Sequence, residues 1–173
     1  MSRPDTLLRS AAILVFSALL AACGFQLRGT GAGLEVPTDW LEMHLASSNP
    51  NGELSREVTN QFAAQGVNWQ ERDSANYTLR LGRERVSQRS LSLNAQARAA
   101  EIEITMRVQF SVVDNTGTEV IAPVDATIVQ QMENDPANIV GKTEEARLIR
   151  GEMRVDIAQQ MLRRIAFFAS AAP

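Results

Sequence analysis

The sequence has very few of the residues that build cross-links or metal sites. Its 173 residues include one cysteine, Cys23, and one histidine, His44. A disulfide within the chain needs two cysteines, and a His/Cys metal cluster needs more ligands than these two residues supply. The carboxylates do not show the D-x-D-x-D-G spacing of a calcium loop. We therefore expect no metal and no cofactor other than a group attached to Cys23.

The N-terminal segment resembles a bacterial lipoprotein signal peptide. Two arginines precede an apolar run, and the small residues Ala21 and Ala22 stand directly before Cys23. The uncharged stretch from 10 to 22 has 13 residues, which is shorter than the ~20 apolar residues of a membrane-spanning helix. The resemblance implies that the leader is removed and that Cys23 carries covalent acyl chains such as palmitate. Because Gly24 and not aspartate follows, we expect an outer-membrane address.

The rest of the chain has the size of one domain. Residues 1–22 are the predicted leader, residues 23–39 a lipidated tether, and residues 40–169 a single folded domain. The whole chain has a net charge of -3; the leader contributes +1, so the mature part carries -4. This balance does not favour nucleic acid as a partner.

Alternating residues predict a four-stranded sheet. Apolar and polar side chains alternate throughout residues 101–112, which predicts a strand with one buried face. Shorter patterns of the same kind predict strands at 41–45, 77–81 and 120–128. Pro123 has no N–H for a ladder, so the last of these strands is expected to lie at an edge or to be bent.

Two helices complete the predicted fold. Residues 52–65 repeat apolar side chains at i+4 and stop at Gly66, and Asn134-Asp135-Pro136 begins a long amphipathic helix. Gly151 lies inside that helix, where glycine costs about 1 kcal/mol relative to alanine, and this indicates close packing. We expect an α+β single domain, with two helices packed on one face of a four-stranded, mostly antiparallel sheet.

Short motifs along the mature chain connect it to a known family. Cys23-Gly24-Phe25-Gln26-Leu27-Arg28-Gly29 follows the lipobox, and Asn49-Pro50-Asn51-Gly52-Glu53-Leu54-Ser55-Arg56 leads into the first helix. Leu79-Arg80-Leu81-Gly82 and the stretch from Asn134 to Lys142 come next in the same order. In these motifs the sequence resembles the LptE family of LPS-assembly lipoproteins. The resemblance implies a lipoprotein that is not an enzyme, on the periplasmic face of the outer membrane, that plugs the LptD β-barrel, assists its assembly and binds lipopolysaccharide.

Positive charge is concentrated between residues 78 and 100. One acid, Glu84, stands there among five arginines, which are Arg80, Arg83, Arg85, Arg89 and Arg98. Guanidinium groups bind phosphate through two parallel, charge-assisted hydrogen bonds, and lipid A carries phosphates. The alternative is that these arginines form a solvated sheet face or pair with acidic residues of the barrel.

The candidate lipopolysaccharide ligands follow from this concentration and from the family. Lys142 is the only lysine in the chain and lies in a segment that matches the family. We expect Arg98 and Lys142 to bind lipopolysaccharide, with Arg83, Arg85 and Arg89 as further candidates. Residues 91–100 are small and mildly apolar, so they suit either an interface with the barrel or an ordinary connection between strands.

Two other functions agree less well with the sequence. A hydrolase is not favoured, because the sequence has no G-x-S-x-G motif and His44 lacks a nearby nucleophile. A freestanding periplasmic lipid-binding lipoprotein would need a deep apolar pocket. Aromatic residues make up only 5% of the chain, which does not favour such a pocket.

Overall fold

The computed structural model describes residues 36–93, 99–135 and 137–171. The predicted leader, Cys23, most of the predicted tether, Arg98 and Pro136 lie outside the described residues. The described strands are β1 (Glu42–Ser47), β2 (Asn68–Trp69), β3 (Tyr77–Leu81), β4 (Arg85–Leu93), β5 (Ala99–Asp114) and β6 (Glu119–Glu133). The described helices are α1 (Glu53–Ala63) and α2 (Ile139–Ala171), and short 3-10 helices occur at Thr38–Trp40 and Arg72–Ser74.

Strand β5 is the centre of the sheet. One of its edges pairs with β3 over the C-terminal part of β5 and with β4 over the N-terminal part, while β6 pairs along the other edge. These three pairings are antiparallel, whereas β1 pairs in parallel with both β3 and β2. The α+β class with two helices is confirmed. The expectation of four mostly antiparallel strands is corrected, because the described sheet is mixed and has six strands.

The core lies between the inward face of the sheet and the two helices. The alternation predicted for β5 is confirmed, since Ile104, Met106, Val108 and Phe110 are at most 1% exposed. Both helices contribute side chains to the same cluster, for example Phe62 of α1, and from α2 Met153, Ile157, Met161 and Ile165. Burial of each large apolar side chain contributes about 1.5–3 kcal/mol, so this cluster is the main stabilising feature of the fold.

The two strands that sequence patterns did not predict are β2 and β4. Strand β2 has only two residues, too few for an alternating pattern. In β4, eight of the nine side chains are exposed and Ser92 is half-buried. A strand that buries neither face has no need to alternate apolar and polar residues, so its sequence lacks that pattern. Because Leu91–Leu93 belong to β4 and Ala99 begins β5, the predicted loop over 91–100 is also corrected.

The edge position predicted from Pro123 is confirmed. Within the described residues, β6 pairs only with β5. The ladder between the two strands shifts register between the pairs Phe110–Val124 and Val112–Ile121, which brackets Pro123. A proline therefore sits at an irregularity, where no regular ladder hydrogen bond has to be donated.

Helix α2 is the longest element. Its 33 residues correspond to about 50 Å at 1.5 Å per residue. Its buried side chains begin at Ala146, and in the turns before it Ile139 and Val140 are exposed. The close packing expected at Gly151 is wrong, because a Cβ added there would meet no other atom within 4 Å.

Candidate functional site

The structure separates those predicted cationic residues that it describes, instead of gathering them in one cluster. Arg83 lies in the connection between β3 and β4, and Arg85 and Arg89 lie on β4. In the ladder, Arg85 and Arg89 are opposite Arg107 and Glu103, which alternate with the buried residues of β5, so both arginines are on the face away from the helices. Lys142 is in the first turn of α2.

Arginines on this outer face pair with acids of the neighbouring strands. Arg89 donates from Nε to Oε1 of Glu103 over 2.7 Å and from Nη2 to Oε2 over 3.0 Å. The hydrogen bonds raise the pKa of Arg89 and lower the pKa of Glu103. Arg107 is 3.8 Å from Asp125, and Arg80 is 3.9 Å from Glu119. The outer face is therefore a network of exposed ion pairs, each of small energetic value.

A bulge at Gly82 separates β3 from β4. Three residues, 82–84, stand between the pair Leu81–Phe110 and the pair Arg85–Arg107, opposite only two residues of β5. The N–H of Gly82 donates to the carbonyl oxygen of Gln109 over 2.8 Å. A Cβ at position 82 would lie 2.7 Å from that oxygen, so the close approach requires glycine.

The bulge opens a polar groove that holds Arg83. The groove has a volume of about 620 Å³ and is lined by Arg83, Glu84 and Arg154 together with residues 47–49 and 51–56. Arg83 is exposed and forms no ion pair within the described part of the chain. Arg83 is thus available to an anion, while Arg89 already has an acidic partner.

Arg154 of α2 was not predicted as part of the site, yet it joins three elements. Its side chain is 16% exposed and donates from Nε and Nη2 to the two carboxylate oxygens of Glu84, each over 2.9 Å. Its Nη1 is 2.6 Å from a carboxylate oxygen of Glu53, at the start of α1. The hydrogen bonds with Glu84 raise the pKa of Arg154. The single acid of the arginine-rich segment is therefore used within the fold.

Lys142, at the start of α2, forms an ion pair and lines a cleft. Its Nζ is 2.7 Å from Oε2 of Glu145, and its side chain is 20% exposed. It lines a cleft of about 260 Å³ whose other lining residues include Ser92, Ala100 and three acids, Glu101, Glu133 and Asp135. Ser92 and Ala100 lie on either side of the segment 94–98, which includes Arg98 and is outside the described residues.

Other site chemistry is limited in the part of the chain that the structure describes. No group of three or more metal-ligating side chains occurs among those residues. His44 contacts the carbonyl oxygen of Gln70 through Nδ1 at 3.0 Å. In the same residues, even the 33-residue α2 lacks the length of apolar sequence that crossing a membrane requires.

Solved structures of bacterial lipoproteins share this architecture. Rare lipoprotein B from Shewanella oneidensis is 30% identical, with a TM-score of 0.63 over 72% of this chain and 92% of that chain. Lipoprotein B from Nitrosomonas europaea is 20% identical, with a TM-score of 0.70 over 86% of this chain and 94% of that chain, which shows the fold alone. The fold is thus that of a class of small bacterial lipoproteins.

Sequence comparison defines the family within that class. LPS-assembly lipoprotein LptE from Yersinia pestis is 33% identical over 164 residues, which cover 92% of this chain and 74% of the relative. The family model described as LptE, lipopolysaccharide-assembly, matches residues 42–165. The chain belongs to the LptE family of lipopolysaccharide-assembly lipoproteins.

Proposed function

We propose that the protein is the outer-membrane lipoprotein subunit of a lipopolysaccharide translocon. In this role it plugs the LptD β-barrel, assists assembly of the barrel, and binds lipopolysaccharide during its insertion into the outer leaflet. It does so without catalysing a reaction. The observation that carries the proposal is the family match over residues 42–165, which begins at the first residue of β1 and ends inside α2.

The position of Lys142 supports binding of lipopolysaccharide. The cleft beside it is open to solvent and flanked by residues that adjoin the segment 94–98. Ala100 lines this cleft, and Arg98 stands two residues before Ala100 in the sequence. A phosphate of lipid A would receive charge-assisted hydrogen bonds from the two cations.

The two ends of the domain have different roles in this proposal. Trp40 stacks on Tyr77 with a centroid distance of 3.9 Å and contacts Phe168 near the end of α2 at 6.4 Å. The described chain therefore enters the domain beside the C-terminal end of α2, and Lys142 is about 40 Å away along the helix. In this proposal, the end that holds Lys142 receives lipopolysaccharide, and the described chain begins at the other end.

Affinity purification from membranes tests the assignment. We expect the tagged protein to bring down a large β-barrel, and the Cys23→Ala variant to leave the membrane fraction in strains that lack the barrel. Acyl chains on the mature N-terminus should be visible by mass spectrometry. Purification of the wild-type protein alone, with lipid but without a barrel, would favour the freestanding periplasmic lipid-binding lipoprotein instead.

A further inference from the structure

Arg150 is a partly buried cation without an acidic partner in the described part of the chain. It lies in α2, and its Nε is buried and has no hydrogen-bond partner. Within the described part of the chain, Arg150 also forms no ion pair, in contrast to Arg154 one turn later. Buried charges are normally paired, because an unpaired donor loses its hydration without compensation. An acceptor from outside the chain would supply the hydrogen bond that this buried Nε lacks.

Arg150 and Lys142 both line a second cleft, different from the one that contains Ser92 and Ala100. This cleft of about 250 Å³ lies between α2 and the sheet, and its lining includes Gln88, Ile102, Met132, Ile139, Lys142 and Arg150. Lys142 and Arg150 are eight residues apart with Ala146 between them at a spacing of four, so they are neighbours along one side of the helix. Their backbones are separated by about 12 Å along the helix axis.

The cleft combines this pair of cations with an apolar floor. Ile102 and Met132 come from the inward faces of β5 and β6, where Met132 is 7% exposed. Asp135 is the one acid in the described lining, and its Oδ1 already accepts the N–H of Ala137 over 2.9 Å. An anion entering the cleft would therefore meet Arg150 without an internal competitor at that guanidinium.

We propose that Arg150 is a second phosphate-binding residue, which together with Lys142 recognises a ligand that carries two phosphate groups. This inference rests on the proposed function, since lipid A provides phosphates attached to a disaccharide with acyl chains. Arg150 suits this role because a guanidinium offers a planar fork to a phosphate, while Lys142 acts as a point charge. The apolar floor accommodates the part of the ligand next to its headgroup.

Binding of two defined lipids to the purified full-length lipoprotein in detergent tests the proposal. The probes are bis-phosphorylated lipid A and its mono-phosphorylated form. The variants are Arg150→Gln, Arg150→Lys and Lys142→Gln, and Arg163→Gln is the matched control, because Arg163 is an exposed arginine of the same helix. Loss of a hydrogen-bonded charge typically weakens binding at least tenfold.

We expect Arg150→Gln to weaken the binding of bis-phosphorylated lipid A about tenfold. The variant should also show a smaller preference for the lipid with two phosphates over the lipid with one. Arg150→Lys should retain part of that preference, and Arg163→Gln all of it. Wild-type protein that binds neither lipid would refute the proposed function itself. Binding by the wild type, with an unchanged phosphate preference in Arg150→Gln, would overturn only the role of Arg150. A lower melting temperature without any change in affinity would likewise assign Arg150 to stability alone.

Discussion

Arg154 and Glu84 are 70 residues apart in the sequence and are joined by two hydrogen bonds of 2.9 Å each. The contact ties the middle of α2 to the bulge between β3 and β4. Because Glu53 of α1 also contacts Arg154, one guanidinium links both helices to the bulge beside the sheet. The polar groove around Arg83 depends on this arrangement, since Arg154 and Glu84 line it as well.

Removal of this guanidinium is expected to destabilise the domain. Arg154→Ala leaves Glu84, whose side chain is 21% exposed, without its partner. We expect the free energy of unfolding to fall by about 1–2 kcal/mol, a value that allows for screening by solvent. Urea denaturation followed by circular dichroism measures the change. Arg147→Ala is the control, because its pair with Glu144 is exposed and should contribute far less. Equal losses in both variants would contradict a special role for Arg154.

Two glycines are expected to respond oppositely to the same substitution. Gly82→Ala brings a Cβ to 2.7 Å from the carbonyl oxygen of Gln109, so the bulge must shift, at a cost of about 1–3 kcal/mol. Gly151→Ala adds a methyl group to open space inside a helix and should stabilise the domain by about 0.5–1 kcal/mol. Thermal melts of the two single variants provide the comparison. A stable Gly82→Ala variant would show that the bulge does not depend on the close contact.

Acid should weaken the turn between β5 and β6. Asp114 accepts hydrogen bonds from the N–H groups of Thr116 and Thr118 and from the Thr116 hydroxyl. The hydroxyl bond is the main cause that lowers the pKa of Asp114 below its ordinary value of 3.8. A lowered pKa stabilises the fold at pH values above the ordinary one, and the contribution is lost as the pH falls through the folded-state pKa. Denaturation at a series of acidic pH values should show a smaller loss in Asp114→Asn than in the wild type.

Reversing the charges of the two preferred ligands should weaken lipopolysaccharide binding without unfolding the protein. We expect the double variant Arg98→Asp, Lys142→Asp to bind at least tenfold more weakly, because charge-assisted contacts to phosphate are lost. The difference should shrink as salt rises, since exposed charges are screened over ~8 Å at physiological ionic strength. Direct binding at two salt concentrations measures both effects.

A double variant with the same charge change provides the control for that experiment. Arg72→Asp, Arg163→Asp alters two exposed arginines that do not line the Lys142 clefts. Its affinity should stay close to that of the wild type. If the two double variants lose affinity equally, net charge governs binding, and Arg83 and Arg85 become the next residues to test.

The contrast between β5 and β4 explains how much of the fold could be predicted. Every second side chain of β5 from Ile104 to Val112 is buried, and this burial imposes an alternation that the sequence displays. Strand β4 pairs with the same edge of β5 as β3 does, but its side chains are almost all exposed. Backbone hydrogen bonds hold β4 in the sheet with almost no help from buried side chains. Backbone groups are the same in every residue, so they leave no pattern in the sequence.

The candidate site was harder to predict because it depends on contacts between distant residues. Composition correctly located a concentration of arginine around Glu84. It could not show that Glu84 binds Arg154, or that Arg89 is held by Glu103 on the neighbouring strand. Lys142 was found through a family motif. Arg150 had no signal at all, because its unpaired state is visible only once its neighbours are known.

The part of the sheet that contains β4 should open locally more often than the part that contains β3. The cleft beside Arg150 is lined by β4, β5, β6, α2 and the connection before α2, and the strand β4 buries almost no side chains. Segments with few buried contacts exchange their amide hydrogens through small, frequent openings, well below the free energy of global unfolding. Amides of β4 should therefore exchange first, while those of β3 and the C-terminal half of β5 report the whole molecule. A domain built in this way can change its conformation around a bound ligand at the cleft, while the part that contains β3 stays rigid.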